Sequence, residues 1–202
     1  VYTSIGEGST SEGEFFEAVS VSCTRHVPVL FLVEDNGYAI STPVEVETPG
    51  GDISKVLTGF PGLHIETCDG TDLFDSLRAV RAATAYIRER KGPALVHAHV
   101  IRPYSHSLSD DEKLYKTAAE REAEAKRDPI LKLSRFVLEH GLATEAELAA
   151  IDAAIDRELT LAAEQAVDAP KPARSTVTHF VYSPDVDPTS PAFDTEIGRA
   201  HV

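Results

Sequence analysis

Residues 28–37 of this chain are Pro-Val-Leu-Phe-Leu-Val-Glu-Asp-Asn-Gly. The unbroken apolar run from Val29 to Val33 is typical of a strand that is buried on both faces, as the strands of a parallel sheet are. Asn36-Gly37 follows it directly and is a turn signal. The segment therefore predicts a central strand of a parallel sheet that ends in a turn carrying polar side chains.

Helices and strands are predicted to alternate around this segment. Apolar residues at three- and four-residue spacing predict helices on both sides of it, and further short apolar runs predict strands. The order strand, helix, strand, helix, strand predicts an α/β fold with right-handed crossovers and a doubly wound parallel sheet. The predicted segments are a strand stub at 1–5, helices at 11–25 and 72–90, and strands at 29–33, 63–68 and 94–101.

The sequence changes character after the third of these strands. Residues 102–117 are polar and predict a long loop, residues 42–62 predict another, and two helices are predicted at about 129–141 and 144–167. We expect an α/β domain over residues 1–125, a helical appendage over 126–168, and an extended or disordered Pro-rich tail over 169–202.

Charge and composition exclude several classes of partner. The net charge of −14 over 202 residues disfavours nucleic acid, because phosphate binding needs a basic surface. No run approaches the roughly 18 apolar residues that span a bilayer, so no membrane partner is expected. The two cysteines, Cys23 and Cys68, are far apart and are expected to be buried, which favours a reducing compartment. The expected location is the cytoplasm of a bacterium or the mitochondrial matrix of a eukaryote.

Three polar loops adjoin strand ends, where parallel sheets bind ligands: residues 6–10, 35–41 and 102–111. Glu7 between two glycines and Asn36 after the next strand supply the hard oxygen donors that Mg²⁺ prefers. A dinucleotide fingerprint is excluded, since Ser11 stands at the third glycine position. If only the residue types are considered, the alternative to a metal-diphosphate site is that both segments are ordinary turns. His64, His97 and His99 lie on strands and are expected to fill core or sheet-face positions.

The spacing and three motifs together resemble a known family. Residues 9–35 separate Gly8 from Asn36, which resembles the thiamine-diphosphate fingerprint of Gly-acid-Gly followed by Asn. The motifs at 6–14, at 35–43 and at 106–111 with Tyr115 behind it are similar to the α subunit of 2-oxo acid dehydrogenases. The resemblance covers about residues 1–165. Glu7 in place of the commoner Asp, and the run from Asn36 to Pro43, are most similar to the branched-chain type.

The resemblance implies a role for each matching residue. Glu7, the side chain of Asn36 and the carbonyl of Tyr38 are expected to bind Mg²⁺, and His106 is the expected catalytic residue in a loop over the cofactor. Ser107 matches a serine that is phosphorylated in some relatives. The expected thiamine-diphosphate-binding residues are Gly6, Glu7, Gly8, Ser9, Asn36, Tyr38, Ile40 and His106.

The implied activity is oxidative decarboxylation of a branched-chain 2-oxo acid, with acyl transfer to lipoyl groups of an acyltransferase core. The implied partner is a β subunit in an α2β2 assembly. The alternatives are a pyruvate or acetoin dehydrogenase α subunit, or a non-catalytic fragment that only binds metal-diphosphate and partner subunits. The chain is expected to be inactive alone, because the family's N-terminal portion and the β subunit complete its active site. Two departures from relatives are the acid Glu34 and Ser105.

Overall fold

A computed structural model describes residues 1–179 together with Asp185 and Ser190. The chain divides into two compact units, Val1–Glu145 and Ala146–Val202. The strands in chain order are β1 (Tyr2–Gly6), β2 (Leu30–Asp35), β3 (Tyr38–Ala39), β4 (Thr42–Pro43), β5 (His64–Asp69) and β6 (Ala94–His99). The helices are α1 (Gly13–Arg25), α2 (Val44–Glu47), α3 (Ile53–Val56), α4 (Leu73–Arg88), α5 (Ala118–Ala125), α6 (Pro129–Glu139) and α7 (Glu145–Asp168).

Four strands form one sheet in the order β1-β2-β6-β5, and every neighbouring pair is parallel. Strand β2 occupies a central place, as the apolar run predicts. The remaining two strands, β3 and β4, form a small antiparallel hairpin directly after β2. The predicted α/β fold with a parallel sheet is confirmed.

Both faces of this sheet are covered. On one face, Val19 of α1 and Leu57 after α3 pack with Val33 and Leu95. On the other face, Ala79 and Ala83 of α4 pack with Cys68, Leu30 and Val96. Successive residues of β2 thus enter opposite cores, because side chains alternate along a strand. Helices on both faces are the mark of a doubly wound sheet.

Three local features differ from the sequence-based expectation. The helix expected from residue 11 begins at Gly13, because Glu7–Ser11 coil into a tighter 3₁₀ turn. The loop expected over 42–62 contains the short helices α2 and α3. Helix α5 was not predicted; it starts at a capping box in which Thr117 and Glu120 each accept a hydrogen bond from the other's backbone N–H.

Helix α6 belongs to the first compact unit, although the sequence predicted a domain boundary at 125/126. The ring of Phe136 packs edge-on against that of Phe74 of α4, with centroids 4.8 Å apart. The ammonium of Lys132 donates to Thr71 Oγ1 at 2.6 Å. These contacts attach the helix to the sheet domain.

The second unit contains α7, a helix of 24 residues. Within the expected tail over 169–202, Arg174–Thr178 form a short 3₁₀ turn. Apart from Asp185 and Ser190, the tail beyond residue 179 lies outside the described residues. Among the helices that the structure describes, none is long and apolar enough to cross a membrane.

Candidate functional site

Two polar side chains meet at the carboxyl edge of the sheet. Glu7 follows β1 and Asn36 follows β2, and the parallel pairing of these strands brings their ends side by side. Both the backbone N–H and the Nδ2 amide of Asn36 donate to Glu7 Oε2, at 3.3 and 3.4 Å. The structure thus brings together the two side chains that the sequence singled out as metal ligands.

The second carboxylate oxygen of Glu7 and the single side-chain oxygen of Asn36 have no partner among the described residues. Glu7 is only 1% exposed. Glu7 Oε1 and Asn36 Oδ1 are both buried and accept no hydrogen bond from any described residue. Buried polar atoms are rarely left this way, since each costs free energy unless a partner compensates. Two adjacent orphaned oxygens fit a hard divalent cation, which would supply the missing partner.

The environment of Glu7 penalises its charge when no cation is bound. Burial is the main reason that the pKa of Glu7 is raised, and the neighbouring carboxylate of Asp35 adds repulsion. Hydrogen bonds from the backbone, including those of Asn36 and Tyr38, act in the opposite direction and only partly compensate. A bound cation would favour the ionised form by direct attraction.

A cavity of about 370 Å³ opens at this pair. Its walls include Glu12 and Ala39, which lie within the matched motifs, and Glu47, which the sequence did not indicate. They also include each residue that the resemblance assigned to cofactor binding: Gly6, Glu7, Gly8, Ser9, Asn36, Tyr38, Ile40 and His106. Glu47 belongs to α2 inside a segment predicted as loop, so its position depended on contacts that no sequence pattern revealed.

A larger cavity of about 570 Å³ lies between the start of α4 and α6. Leu73, Phe74, Ile130 and Phe136 make its lining mainly apolar. It holds none of the predicted site residues, whereas the smaller cavity combines buried carboxylate, carboxamide and glycine backbone. The smaller cavity is therefore the candidate functional site.

The two glycines beside Glu7 serve different purposes. A Cβ on Gly8 would lie 2.6 Å from the Cβ of Ala39, so Gly8 is needed for the turn to pack against β3. A Cβ on Gly6 would meet nothing within 4 Å. Gly6 therefore leaves open space at the cavity wall, where a ligand could approach the backbone closely.

Side chains from later in the sequence hold the turn that carries Tyr38. Ile40 has a φ of +56°, which is a costly conformation for a β-branched residue. The Ile40 carbonyl accepts a hydrogen bond from the Arg102 guanidinium at 2.8 Å. The Tyr38 hydroxyl donates to Glu120 Oε1 of α5 at 3.1 Å. These contacts fix the backbone around the Tyr38 carbonyl.

His106 reaches the cavity on a loop whose shape is set by one carboxylate. Asp110 Oδ2 accepts from the His106 backbone N–H at 2.9 Å and from the Tyr115 hydroxyl at 2.5 Å. Arg102 donates to the same hydroxyl at 2.7 Å. The Tyr115 hydrogen bond is the main cause that lowers the pKa of Asp110, and burial followed by that bond raises the pKa of Tyr115 to about 12.

Other predicted residues lie further from the cavity lining. Ser107 is exposed, and its Oγ lies 3.2 Å from Ser109 Oγ. Asp111 caps a short 3₁₀ turn by accepting from the Lys113 N–H at 3.1 Å. Glu34 accepts a hydrogen bond from Ser4 Oγ at 3.0 Å on the exposed surface.

The fold and the site define a class of protein: a doubly wound α/β domain with a ligand cavity at the carboxyl ends of its parallel strands. Residues 1–175 match the family described as Dehydrogenase E1 component. The chain therefore belongs to the dehydrogenase E1 component family, whose members depend on thiamine diphosphate.

Curated relatives carry consistent names. The chain is 34% identical over 184 residues to the human mitochondrial pyruvate dehydrogenase E1 component subunit alpha, somatic form, covering 91% of this chain and 46% of that protein. It is 34% identical over 180 residues to the chloroplastic subunit alpha-3 of Arabidopsis thaliana, covering 88% and 41%. It is 33% identical over 167 residues to the subunit alpha of Mycoplasma genitalium, covering 82% and 46%. The chain spans less than half the length of these relatives.

Proposed function

We propose that this chain supplies the magnesium-diphosphate part of the active site in the α subunit of a thiamine-diphosphate-dependent 2-oxo acid dehydrogenase. The observation that carries the proposal is the pair of buried, unpartnered oxygens, Glu7 Oε1 and Asn36 Oδ1, at one cavity. Family membership supports it independently.

The donor set determines how the cofactor would be held. Glu7, Asn36 and the Tyr38 carbonyl would hold Mg²⁺, which prefers oxygen ligands and usually shares them with phosphate groups. The turn from Gly6 to Ser9 would lie against the diphosphate, since Gly6 leaves its wall of the cavity open. Bound thiamine diphosphate would supply the electron sink for decarboxylation.

His106 is the proposed catalytic residue of this chain. It lines the cavity and stands on a loop that Asp110, Tyr115 and Arg102 hold in shape. An imidazole in this place can transfer a proton or orient a substrate by hydrogen bonding. Asp110, Tyr115 and Arg102 do not line the cavity themselves, but Arg102 and Asp110 contact the backbone of the lining residues Ile40 and His106.

Pyruvate is the proposed substrate to test first. The relatives reported above are named pyruvate dehydrogenases. The motif at residues 36–43 and Glu7 favour a branched-chain 2-oxo acid instead, and acetoin remains a further candidate. Relative kcat/KM for pyruvate, 2-oxoisovalerate and acetoin on the assembled enzyme would decide among them.

The partners belong to the same proposal. A β subunit in an α2β2 assembly would complete the site, and a lipoyl-bearing acyltransferase core would accept the acyl group. The competing proposal is a non-catalytic module that binds metal-diphosphate and subunits only. The names of the relatives support a mitochondrial, plastid or bacterial location.

Reconstitution separates these two proposals. The chain would be combined with its β partner and the remaining N-terminal portion, and 2-oxo acid-dependent reduction of a lipoyl acceptor would be measured. We expect turnover that His106→Gln lowers strongly and that the matched variant His64→Gln, outside the site, leaves intact. A reconstituted assembly that binds the cofactor but turns over none of the three substrates would favour the non-catalytic module.

A further inference from the structure

A second cluster of metal-binding side chains lies beside the proposed cofactor site. His97 and His99 stand two apart on β6, so both project from the same face of the sheet. Asp35 at the end of β2 pairs in register with His99. The N-cap residue of α3, Asp52, approaches His97 from the helix layer. The cluster therefore combines two imidazoles and two carboxylates.

The distances suit a single ion. His97 Nε2 lies 2.8 Å from Asp35 Oδ2, and His99 Nδ1 lies 3.8 Å from the same oxygen. One candidate ligand atom from each of these three residues lies within 4.8 Å of the other two. The other oxygen of Asp35 is engaged, since it accepts from the Gly37 N–H at 2.8 Å. Oδ2 is thus the oxygen that is directed at both histidines.

The second ring nitrogen of His97 is buried without a hydrogen-bond partner among the described residues. His97 is fully buried, and its Nδ1 forms no hydrogen bond within the described part of the chain. The nearest carboxylate oxygen, Asp52 Oδ1, is 3.5 Å away. Metal-binding histidines typically direct their second ring nitrogen at a carboxylate in this way. Asp52 is itself held by Ser54 Oγ at 2.6 Å and the Lys55 N–H at 3.2 Å.

We propose that Asp35, His97 and His99 form a site for a divalent transition metal of the zinc class, distinct from the oxygen-donor site of Glu7 and Asn36. Imidazole nitrogen favours Zn²⁺ and its neighbours over Mg²⁺, which selects oxygen. Three protein ligands leave one tetrahedral position open for water. His99 is half-exposed and gives the ion a route from solvent.

Binding would rearrange one hydrogen bond. The contact of His97 Nε2 with Asp35 would give way to two metal bonds, and the Nδ1–H would face Asp52. The Nε2 proton of His97 leaves to solvent and Nδ1 takes up a proton in its place, so the ring stays neutral and this change of tautomer releases no net proton. Two positive charges beside the cluster oppose binding: Lys55 Nζ lies 3.0 Å from Asp52 Oδ2, and Arg127 donates to the His99 carbonyl at 3.3 Å.

The test is calorimetric titration of Zn²⁺ into the chain without thiamine diphosphate, together with Co²⁺ absorption spectroscopy. We expect one saturable Zn²⁺ site and the visible bands of tetrahedral Co²⁺. Asp52→Asn should weaken Zn²⁺ binding about 10- to 100-fold, the effect typical of a lost supporting carboxylate. His99→Ala, at a half-exposed position, should weaken it at least as much.

His64→Ala is the matched control, since His64 is another strand histidine paired with a carboxylate, Glu66, at 2.9 Å. It should leave Zn²⁺ affinity unchanged, and thermal melting would confirm that each variant folds. Absence of saturable Zn²⁺ binding would overturn the proposal. Unchanged Zn²⁺ affinity in a folded His99→Ala variant would also overturn it. So would loss of Zn²⁺ binding in Glu7→Ala with binding retained in the histidine variants, because the ion would then occupy the oxygen-donor site.

Discussion

Among single residues, the site depends on two buried oxygens, one of which belongs to the Glu7 carboxylate, whose charge burial disfavours. The sequence indicated Glu7 and Asn36 through spacing, and the parallel pairing of β1 and β2 brings them into contact. It could not indicate Glu47 or the Asp35–His97–His99 cluster, because those contacts depend on strand register and on the fold of residues 42–62. Local sequence patterns do not predict which distant strands pair or in what register.

Replacing Glu7 should change stability and binding in opposite directions. The pKa of Glu7 is raised, so the folded chain binds the proton more tightly than the unfolded chain, and stability falls as pH rises above about 4.5, the group's ordinary pKa. Glu7→Gln should therefore raise the Tm of the metal-free chain at pH 7 by a few degrees. Scanning fluorimetry checks this. A lower Tm for the metal-free variant would show that the carboxylate stabilises the fold.

The two glycines offer a matched pair of variants. Gly8→Ala should destabilise the chain by about 1–3 kcal/mol, because the new Cβ would overlap Ala39. Gly6→Ala should leave the free energy of unfolding nearly unchanged, since open space surrounds the added methyl group. It should instead weaken cofactor binding. Urea unfolding measures the first effect, and equal destabilisation by both variants would contradict the packing argument.

Among the secondary-structure elements, strand β2 was predictable because a short continuous apolar run is typical of a strand that is buried on both faces of a parallel sheet. Helix α5 was not, because its polar Ala-Glu-Arg sequence carries no apolar stripe. A capping box begins it, and the buried ammonium of Lys116 binds Glu124 at 2.7 Å. Helices α2 and α3 have four residues each, too few for a periodicity to appear.

The His106 loop should loosen when its central hydroxyl is removed. Tyr115→Phe deletes both the hydrogen bond to Asp110 and the one from Arg102. We expect faster proteolysis between residues 102 and 114 and a lower kcat in the assembled enzyme, with Tm nearly unchanged. Tyr104→Phe, an exposed tyrosine of the same loop, is the control. Unchanged proteolysis in Tyr115→Phe would show that the network does not hold the loop.

The same loop should tolerate moderate acid. The pKa of Asp110 is lowered from 3.8, chiefly by the Tyr115 hydrogen bond, so the stability it contributes is present above that value and is lost as pH falls through the lower, folded-state pKa. Loop protection from an acid-active protease should therefore persist at pH 4. Loss of protection well above pH 4 would show that Asp110 is not the group that holds the loop.

Across the whole molecule, the described residues place the candidate cavity at the carboxyl edge of a doubly wound parallel sheet, and the chain covers less than half of the length of the relatives reported for it. Fold class followed from the order of segments, and family from three motifs. Substrate choice did not follow, because the sequence motif favoured branched-chain acids while the relatives are named for pyruvate. In the proposed assembly, the cavity of this chain would hold the diphosphate, and the substrate contacts would require the partner subunit.

Calorimetric titration of thiamine diphosphate into the chain, with and without Mg²⁺, tests whether Glu7 and Asn36 hold the cofactor through a metal ion. We predict binding that requires Mg²⁺, is lost in Glu7→Gln and in Asn36→Ala, and is retained in Glu34→Gln, whose carboxylate lies on the exposed surface. If the chain alone binds too weakly, the titration is repeated with the N-terminal portion and β subunit present. Two results would contradict a metal-diphosphate site at Glu7 and Asn36: cofactor binding to that assembly without Mg²⁺, and cofactor binding that is retained in both site variants.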